Sequence, residues 1–244
     1  MKKTSTERVT VDRVKCLVYG KSGVGKTSTA LTLDPKTTLI ISAESGLLPL
    51  RGCQIEVWEM EGWEDVQNSY MELLKEENQR RFKTIFIDSL TEINEQAKEQ
   101  IVKKDRPALK GQDIGKVYDD LMTMQDYGLL ATRMTRMIRA FRDLPYNIVF
   151  TCLEDSVKDE LTGAISMAPS INGKLAVNIA GYFDEVFRMV TKETDDKASR
   201  WFLTEKSEKW IAKDRSGRLD RMEVPDWGVV FGKISEKIKA AEAA

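Results

Sequence analysis

Short runs of β-branched and other apolar residues alternate along the chain with longer stretches in which apolar residues recur at helical spacing. That alternation predicts an α/β protein with a mainly parallel sheet, because parallel strands are buried on both faces and need helical crossovers between them. Residues 14–19 read as the first strand, which breaks at Gly20 into a glycine-rich loop and then a short helix over 26–33. Strands are expected at 38–43 and 55–60, followed by a helix over about 63–77 with Val66, Tyr70, Leu73 and Leu74 on one face. Residues 84–87 are a continuous apolar run with Asp88 at the carboxyl end, the pattern of a central strand. Helical periodicity returns at 91–104 and 114–143, with a break around 107–111, and 147–152 reads as another buried strand. The polar, turn-rich segment 154–173 predicts a loop or hairpin, and a helix follows at about 174–181. Residues 185–190, 200–205 and 209–213 then read as strands that turn one edge of the sheet antiparallel, before a closing helix from Pro225 onward.

The glycine-rich loop carries the clearest chemistry. Gly20-Lys21-Ser22-Gly23-Val24-Gly25-Lys26-Thr27 is a full GxxxxGKT between a predicted strand and a predicted helix, and Ser28 continues it. The glycines let the backbone curl so that N–H groups and the helix start face a phosphate chain. Lys26 is expected over the β and γ phosphates, and the Thr27 hydroxyl on Mg²⁺, so ATP and Mg²⁺ are the implied ligands. Asp88 is the expected second metal carboxylate, since ligands gather at the carboxyl ends of strands in such sheets; its alternative role is a cap for the helix beginning at 89–92. Hydrolysis also needs a group that orients or deprotonates water. Glu44, leaving the strand 38–43 on the same sheet edge, is the candidate general base; its alternative is an ordinary surface glutamate.

Composition narrows the possibilities. The chain has 244 residues, long enough for one large domain with a substantial core. It contains no histidine, which excludes a Ser/His triad, a histidine-bearing metal site and a near-neutral imidazole switch. Cys16, Cys53 and Cys152 are widely spaced and odd in number, as expected of reduced thiols rather than a disulfide framework or a zinc site. Thirty-eight basic against 39 acidic residues give a net charge of -1, so no global positive field draws nucleic acid or membrane. Residues 1–13 are charged without an apolar core, and no stretch reaches the roughly 20 apolar residues of a membrane helix. The expectation is a soluble cytoplasmic protein with no membrane partner.

Together these pieces resemble the RecA-like ATPases, and more closely the small phage-encoded nucleotide-binding proteins of that group, some regarded as single-strand annealing recombinases. The residues that carry the resemblance are GKSGVGKTS at 20–28, ISAES at 41–45, IDS at 87–89 and INGKLAVNIAGYFDEVFRM at 171–189. The resemblance implies a RecA-like P-loop NTPase core over 14–216: a mostly parallel twisted sheet flanked by helices, with antiparallel strands at the C-terminal edge. Residues 1–13 then form an N-terminal extension and 217–244 a C-terminal extension with a helix. It also implies that Glu44 is the catalytic carboxylate, that copies assemble into a ring or filament with ATP between subunits, and that single-stranded DNA is a partner. A single-strand-binding or replication protein is a further possible partner.

Lys213-Asp214-Arg215 resembles the lysine-x-arginine finger of RadA-type recombinases, which reaches a neighbour's γ-phosphate, although Asp214 and Ser216-Gly217 depart from the usual form. Spacing i, i+2 on a strand puts Lys213 and Arg215 on one face; a charged edge strand is the alternative. RecA proteins also carry a polar amide near the end of the strand corresponding to 148–152, where this chain reads Thr151-Cys152-Leu153-Glu154.

For nucleic acid, the segment 154–173 is the positional equivalent of a DNA-binding loop, with Lys158, Asn172 and Lys174 as phosphate partners. A richer patch surrounds the helix break, at Lys103, Lys104, Arg106, Lys110 and Lys116, and Arg133, Arg136, Arg139 and Arg142 add a slanting ridge. Such charge runs also serve as solvated helix faces. Two other classes remain open at this stage: a small-molecule P-loop kinase, and a non-hydrolysing nucleotide switch that recruits replication proteins.

Overall fold

The computed structural model describes residues 13–44, 46–105, 121–158, 163–194 and 197–235. Ten strands form one sheet: β1 (Lys15–Gly20), β2 (Thr38–Ser42), β3 (Glu56–Glu59), β4 (Thr84–Asp88), β5 (Asn147–Lys158), β6 (Ile165–Pro169), β7 (Glu185–Thr194), β8 (Lys197–Leu203), β9 (Lys213–Asp214) and β10 (Met222–Glu223). Their order is β10-β8-β7-β1-β5-β4-β2-β3, with β6 on β5 and β9 on β7. From β3 to β7 every neighbour along this path is parallel; β8, β9 and β10 add antiparallel pairings at the C-terminal edge. The expected mostly parallel α/β sheet with an antiparallel edge is therefore the architecture found.

The helices are α1 (Trp63–Leu73), α2 (Glu76–Arg81), α3 (Leu90–Gln100), α4 (Met124–Arg142), α5 (Lys174–Asn178) and α6 (Trp227–Ser235). One face of the sheet packs Leu17, Ile41, Ile87 and Phe150 against Leu73, Ile93, Met134 and Phe141 of α1, α3 and α4. The other face packs Val18, Ile40, Phe86 and Val149 with Ala30 of the loop helix and with Trp227, Val230 and Ile234 of α6. Each fully buried Leu, Ile or Phe contributes roughly 1.5–3 kcal/mol relative to exposure, so both layers hold the strand ends in place.

Several boundaries differ from the sequence expectation. The helix expected over 63–77 ends at Leu73, and α2 follows a two-residue turn, its acidic start (Glu76, Glu77) and basic end (Arg80, Arg81) matching the helix dipole. The helix after the glycine-rich loop is a 3₁₀ helix, Thr27–Thr32, in which Thr29 and Thr32 turn their hydroxyls back to the Lys26 and Thr29 carbonyls. The strand expected at 209–213 begins only at Lys213 and pairs with β7. The segment 154–173 is a hairpin, β5 continuing to Lys158 and returning as β6. Residues 1–12 and most of the segment between α3 and α4 lie outside the described residues, as do Arg106, Lys110 and Lys116.

Candidate functional site

Parallel register builds the site. Ser42 lies opposite Asp88, Ile87 opposite Phe150 and Gly20 opposite Leu153, so the carboxyl ends of β2, β4, β5 and β1 finish along one edge. The loop 20–27 leaves β1 at that edge. A Cβ on Gly20 would stand 2.6 Å from the Met189 carbonyl oxygen, so only glycine lets the loop depart this close to β7. Gly25 adopts φ +101, a conformation open to glycine alone, where the chain turns into the loop helix.

Lys26 is buried at the base of the loop, and its ammonium donates to the carbonyls of Gly20 at 3.0 Å and Lys21 at 2.9 Å. Burial pulls its pKa below the usual lysine value, while Asp88 opposes the shift. Thr27 Oγ1 donates to Asp88 Oδ2 at 2.6 Å, and Thr151 Oγ1 donates to Asp88 Oδ1. Asp88 is 2% exposed, and two hydroxyls thus hold a buried carboxylate beside the loop lysine. The cap of α3 is not Asp88 but Ser89, whose Oγ accepts from Glu92 N–H at 3.3 Å. That frees Asp88 from the capping role considered for it.

Ser89 Oγ also donates to Glu44 Oε1. The Glu44 backbone N–H donates to the Asp88 carbonyl at 3.3 Å, so Glu44 follows β2 directly onto the same edge as Asp88. Burial, with Glu44 as the next cause, raises the Glu92 carboxyl above its ordinary value. Cys152 is fully buried against Thr91 Oγ1, and burial pushes its thiol up to about 12, so it packs rather than reacts. Glu154, at the start of the hairpin, pairs with Arg188 of β7 at 2.9 Å beside the loop.

A hydroxyl and a carboxylate 2.6 Å apart are hard oxygen donors that fit Mg²⁺, which typically takes one or two carboxylates and completes its shell with water and substrate phosphates. No group of three acidic, cysteine or histidine residues among the described residues forms a complete protein cage for a metal.

The remaining predicted residues sit elsewhere. Lys213 Nζ donates to the Ala180 carbonyl at 2.9 Å and the Phe183 carbonyl at 2.7 Å, and Arg215 Nη1 donates to Asp184 Oδ1 at 2.8 Å. Both serve the turn before β7, near the amino end of β1 and away from the loop of their own chain. Lys103 and Lys104 pair with Glu99 at 2.8 Å and Glu64 at 2.7 Å. Lys158 is exposed at the end of β5; Asn172 is half-buried just before α5, whose first residue is Lys174. Within the arginine ridge, Arg133 pairs with Asp105 and Arg142 with Asp143, while Arg136 and Arg139 are exposed without an ion pair among the described residues, Arg139 lying over the Tyr182 ring. Thr151 and Ser89, which touch Asp88 and Glu44, were not singled out from the sequence as site residues. Ser89 follows Asp88 at the end of β4, which was the available signal for it, whereas Thr151 lies inside β5 between Phe150 and Cys152, with no acidic neighbour to mark it.

A phosphate loop after the first strand, a buried aspartate one strand removed and a carboxylate on the neighbouring strand end make up a P-loop nucleotide-binding arrangement on a mostly parallel α/β sheet. A family model described as AAA domain matches residues 12–216, and the chain belongs to that family. Family and fold support nucleotide binding and hydrolysis in general terms. No curated protein matches the sequence. Among solved structures, a KaiC-like protein from the hyperthermophilic archaeon Pyrococcus horikoshii is similar at 13% identity with a TM-score of 0.39, over 78% of this chain and 77% of that one. A prototypical ATPase from the type III secretion system of pathogenic bacteria is similar at 13% identity with a TM-score of 0.44, over 72% of this chain and 52% of that one. Among the described residues no helix is long and apolar enough to cross a membrane.

Proposed function

We propose that the protein hydrolyses ATP at a seam between two copies of itself and couples the nucleotide state to single-stranded DNA, promoting annealing or recombination. The observation that carries the ATPase part is the contact set Lys26, Thr27, Asp88, Thr151, Glu44 and Ser89 at one sheet edge. In this reading residues 20–28 hold the phosphates, and the Lys26 ammonium exchanges its two loop carbonyls for phosphate oxygens. Thr27 and Asp88 would hold Mg²⁺, which supplies charge neutralisation on the phosphates. Glu44, oriented by Ser89, accepts the proton of the attacking water as it adds to the γ-phosphorus and ADP leaves.

The DNA part rests on the resemblance and on the β5–β6 hairpin rising from the strand next to β1. Lys158, Asn172 and Lys174 are its proposed contacts, with Lys103, Lys104, Arg106 and Lys110 as a second set. Lys213 and Arg215 act in trans in this scheme: assembly would exchange their contacts at 180–184 for a neighbour's γ-phosphate.

The test is ATP turnover with and without a single-stranded oligonucleotide at several protein concentrations, with Lys26→Ala as the control that abolishes nucleotide binding. Stimulation by DNA and a rate per copy that rises with concentration support the reading. A rate per copy independent of both overturns the DNA coupling and the shared seam. Phosphate transfer to a metabolite would mark a kinase instead.

A further inference from the structure

A cation outside the GxxxxGKT motif reaches the phosphate loop. A Cβ on Gly25 would stand 3.1 Å from both Cζ and Nε of Arg200 and 3.3 Å from its Cδ. The guanidinium of Arg200 therefore lies against the bare backbone of Gly25. Strand pairing puts it there: Arg200 on β8 is opposite Thr191 of β7, and β7 is fixed to β1 through Arg188 opposite Tyr19.

Arg200 is exposed and, among the described residues, has no carboxylate partner, whereas Arg188 pairs with Glu154 and Arg215 with Asp184. A cation held beside a loop of anion-binding sequence, without an internal counter-ion, is arranged for an external anion. The sheet order assigns the end of that anion. Asp88 and Glu44 come from β4 and β2 on one side of β1, and Arg200 comes from β8 on the other. In the function proposed above the γ-phosphate lies toward the carboxylates, which leaves the guanidinium the part of the polyphosphate away from them.

We propose that Arg200 is a nucleotide-binding residue that contacts the α or β phosphate of a nucleoside di- or triphosphate on the loop; this rests on the reading that the loop binds nucleotide. Such a contact is the same in the ground and transition states, so it sets affinity rather than turnover. Arg200→Ala is expected to raise the Kd of ATP and ADP alike by about tenfold, the scale of a lost charge-assisted hydrogen bond. Arg200→Lys keeps the charge without the planar fork and should fall between.

The experiment is calorimetric titration of the full chain with Mg-ATP and with Mg-ADP, for the parent, both Arg200 variants and Lys26→Ala, together with melting temperatures without nucleotide. Parent binding with Arg200→Ala within twofold for both nucleotides overturns this proposal and leaves the nucleotide reading standing. Loss for ATP but not ADP would put Arg200 at the γ-phosphate and also overturn it. A weaker affinity accompanied by a lower nucleotide-free melting temperature, unrelieved by lysine, would make Arg200 a prop for the loop. No binding by the parent would overturn the nucleotide reading and the proposal together.

Discussion

Replacing Thr151 with valine keeps the side-chain shape and removes one hydroxyl from the most buried corner of the site. Thr151 is 0% exposed and Asp88 2% exposed, so no bulk water can take the place of the hydroxyl that donates to Asp88 Oδ1. Asp88 retains the Thr27 hydroxyl on Oδ2 at 2.6 Å but loses half of its side-chain donor set. A hydrogen bond to a charged group contributes about 1.5–3 kcal/mol, and leaving the buried acceptor unpaired keeps the effect near 2 kcal/mol even though valine adds apolar surface. For a chain of this size about 2 kcal/mol corresponds to a melting temperature lower by about 4–8 °C. Thermal unfolding followed by circular dichroism measures it, with Thr151→Ser, which retains the hydroxyl and loses the methyl, as the comparison. Turnover of Mg-ATP should also fall in Thr151→Val, because the Thr151 hydroxyl no longer fixes the carboxylate plane whose other oxygen meets Thr27. A valine variant that melts within about 1 °C of the parent would refute the reasoning, since it would mean that the hydroxyl does not compensate the buried charge.

Further outcomes are expected elsewhere. Glu44→Gln should leave ATP affinity intact and lower kcat by about 10²–10⁴, read by steady-state phosphate release; unchanged turnover would favour a nucleotide switch. Arg215→Ala should spare ATP binding and reduce turnover, by up to about 10³ if the finger acts in trans; equal loss of binding would contradict that role, and mixing with Glu44→Gln copies should restore part of the rate. Burial, with Asp214 as the next cause, pushes the Glu185 carboxyl up to about 9 from 4.5. The folded state thus keeps a proton that the unfolded chain releases, so this group's contribution is complete below pH 4.5 and declines up to pH 9. The decline approaches 1.4 kcal/mol per pH unit. Denaturant titrations of Glu185→Gln between pH 6 and 8 should show a flatter dependence than the parent, and parallel curves would sink the assignment.

Much of the phosphate site was legible along the chain because it is built from consecutive residues. The spacing of Gly20, Gly25, Lys26 and Thr27 is a local property, and the apolar run before Asp88 marks a central strand wherever that strand sits in the sheet. Glu44 is legible in the same way, as the first acidic residue after a buried strand. The α2 helix was missed because its six residues are too few to show a period, and its capping charges are ordinary surface residues.

What the sequence determined by itself was the loop, the strand ends and the alternation that makes the sheet parallel, since each depends on neighbours within a turn or a strand. Only the tertiary structure decided which of those ends meet. Thr151 reaches Asp88 across 63 positions, Ser89 reaches Glu44 across 45, and Arg200 reaches Gly25 through the pairing of β8 with β7 and β7 with β1. Contacts between distant segments follow from strand order and register, which two cooperating hydrophobic layers select for the whole chain at once and no local pattern encodes.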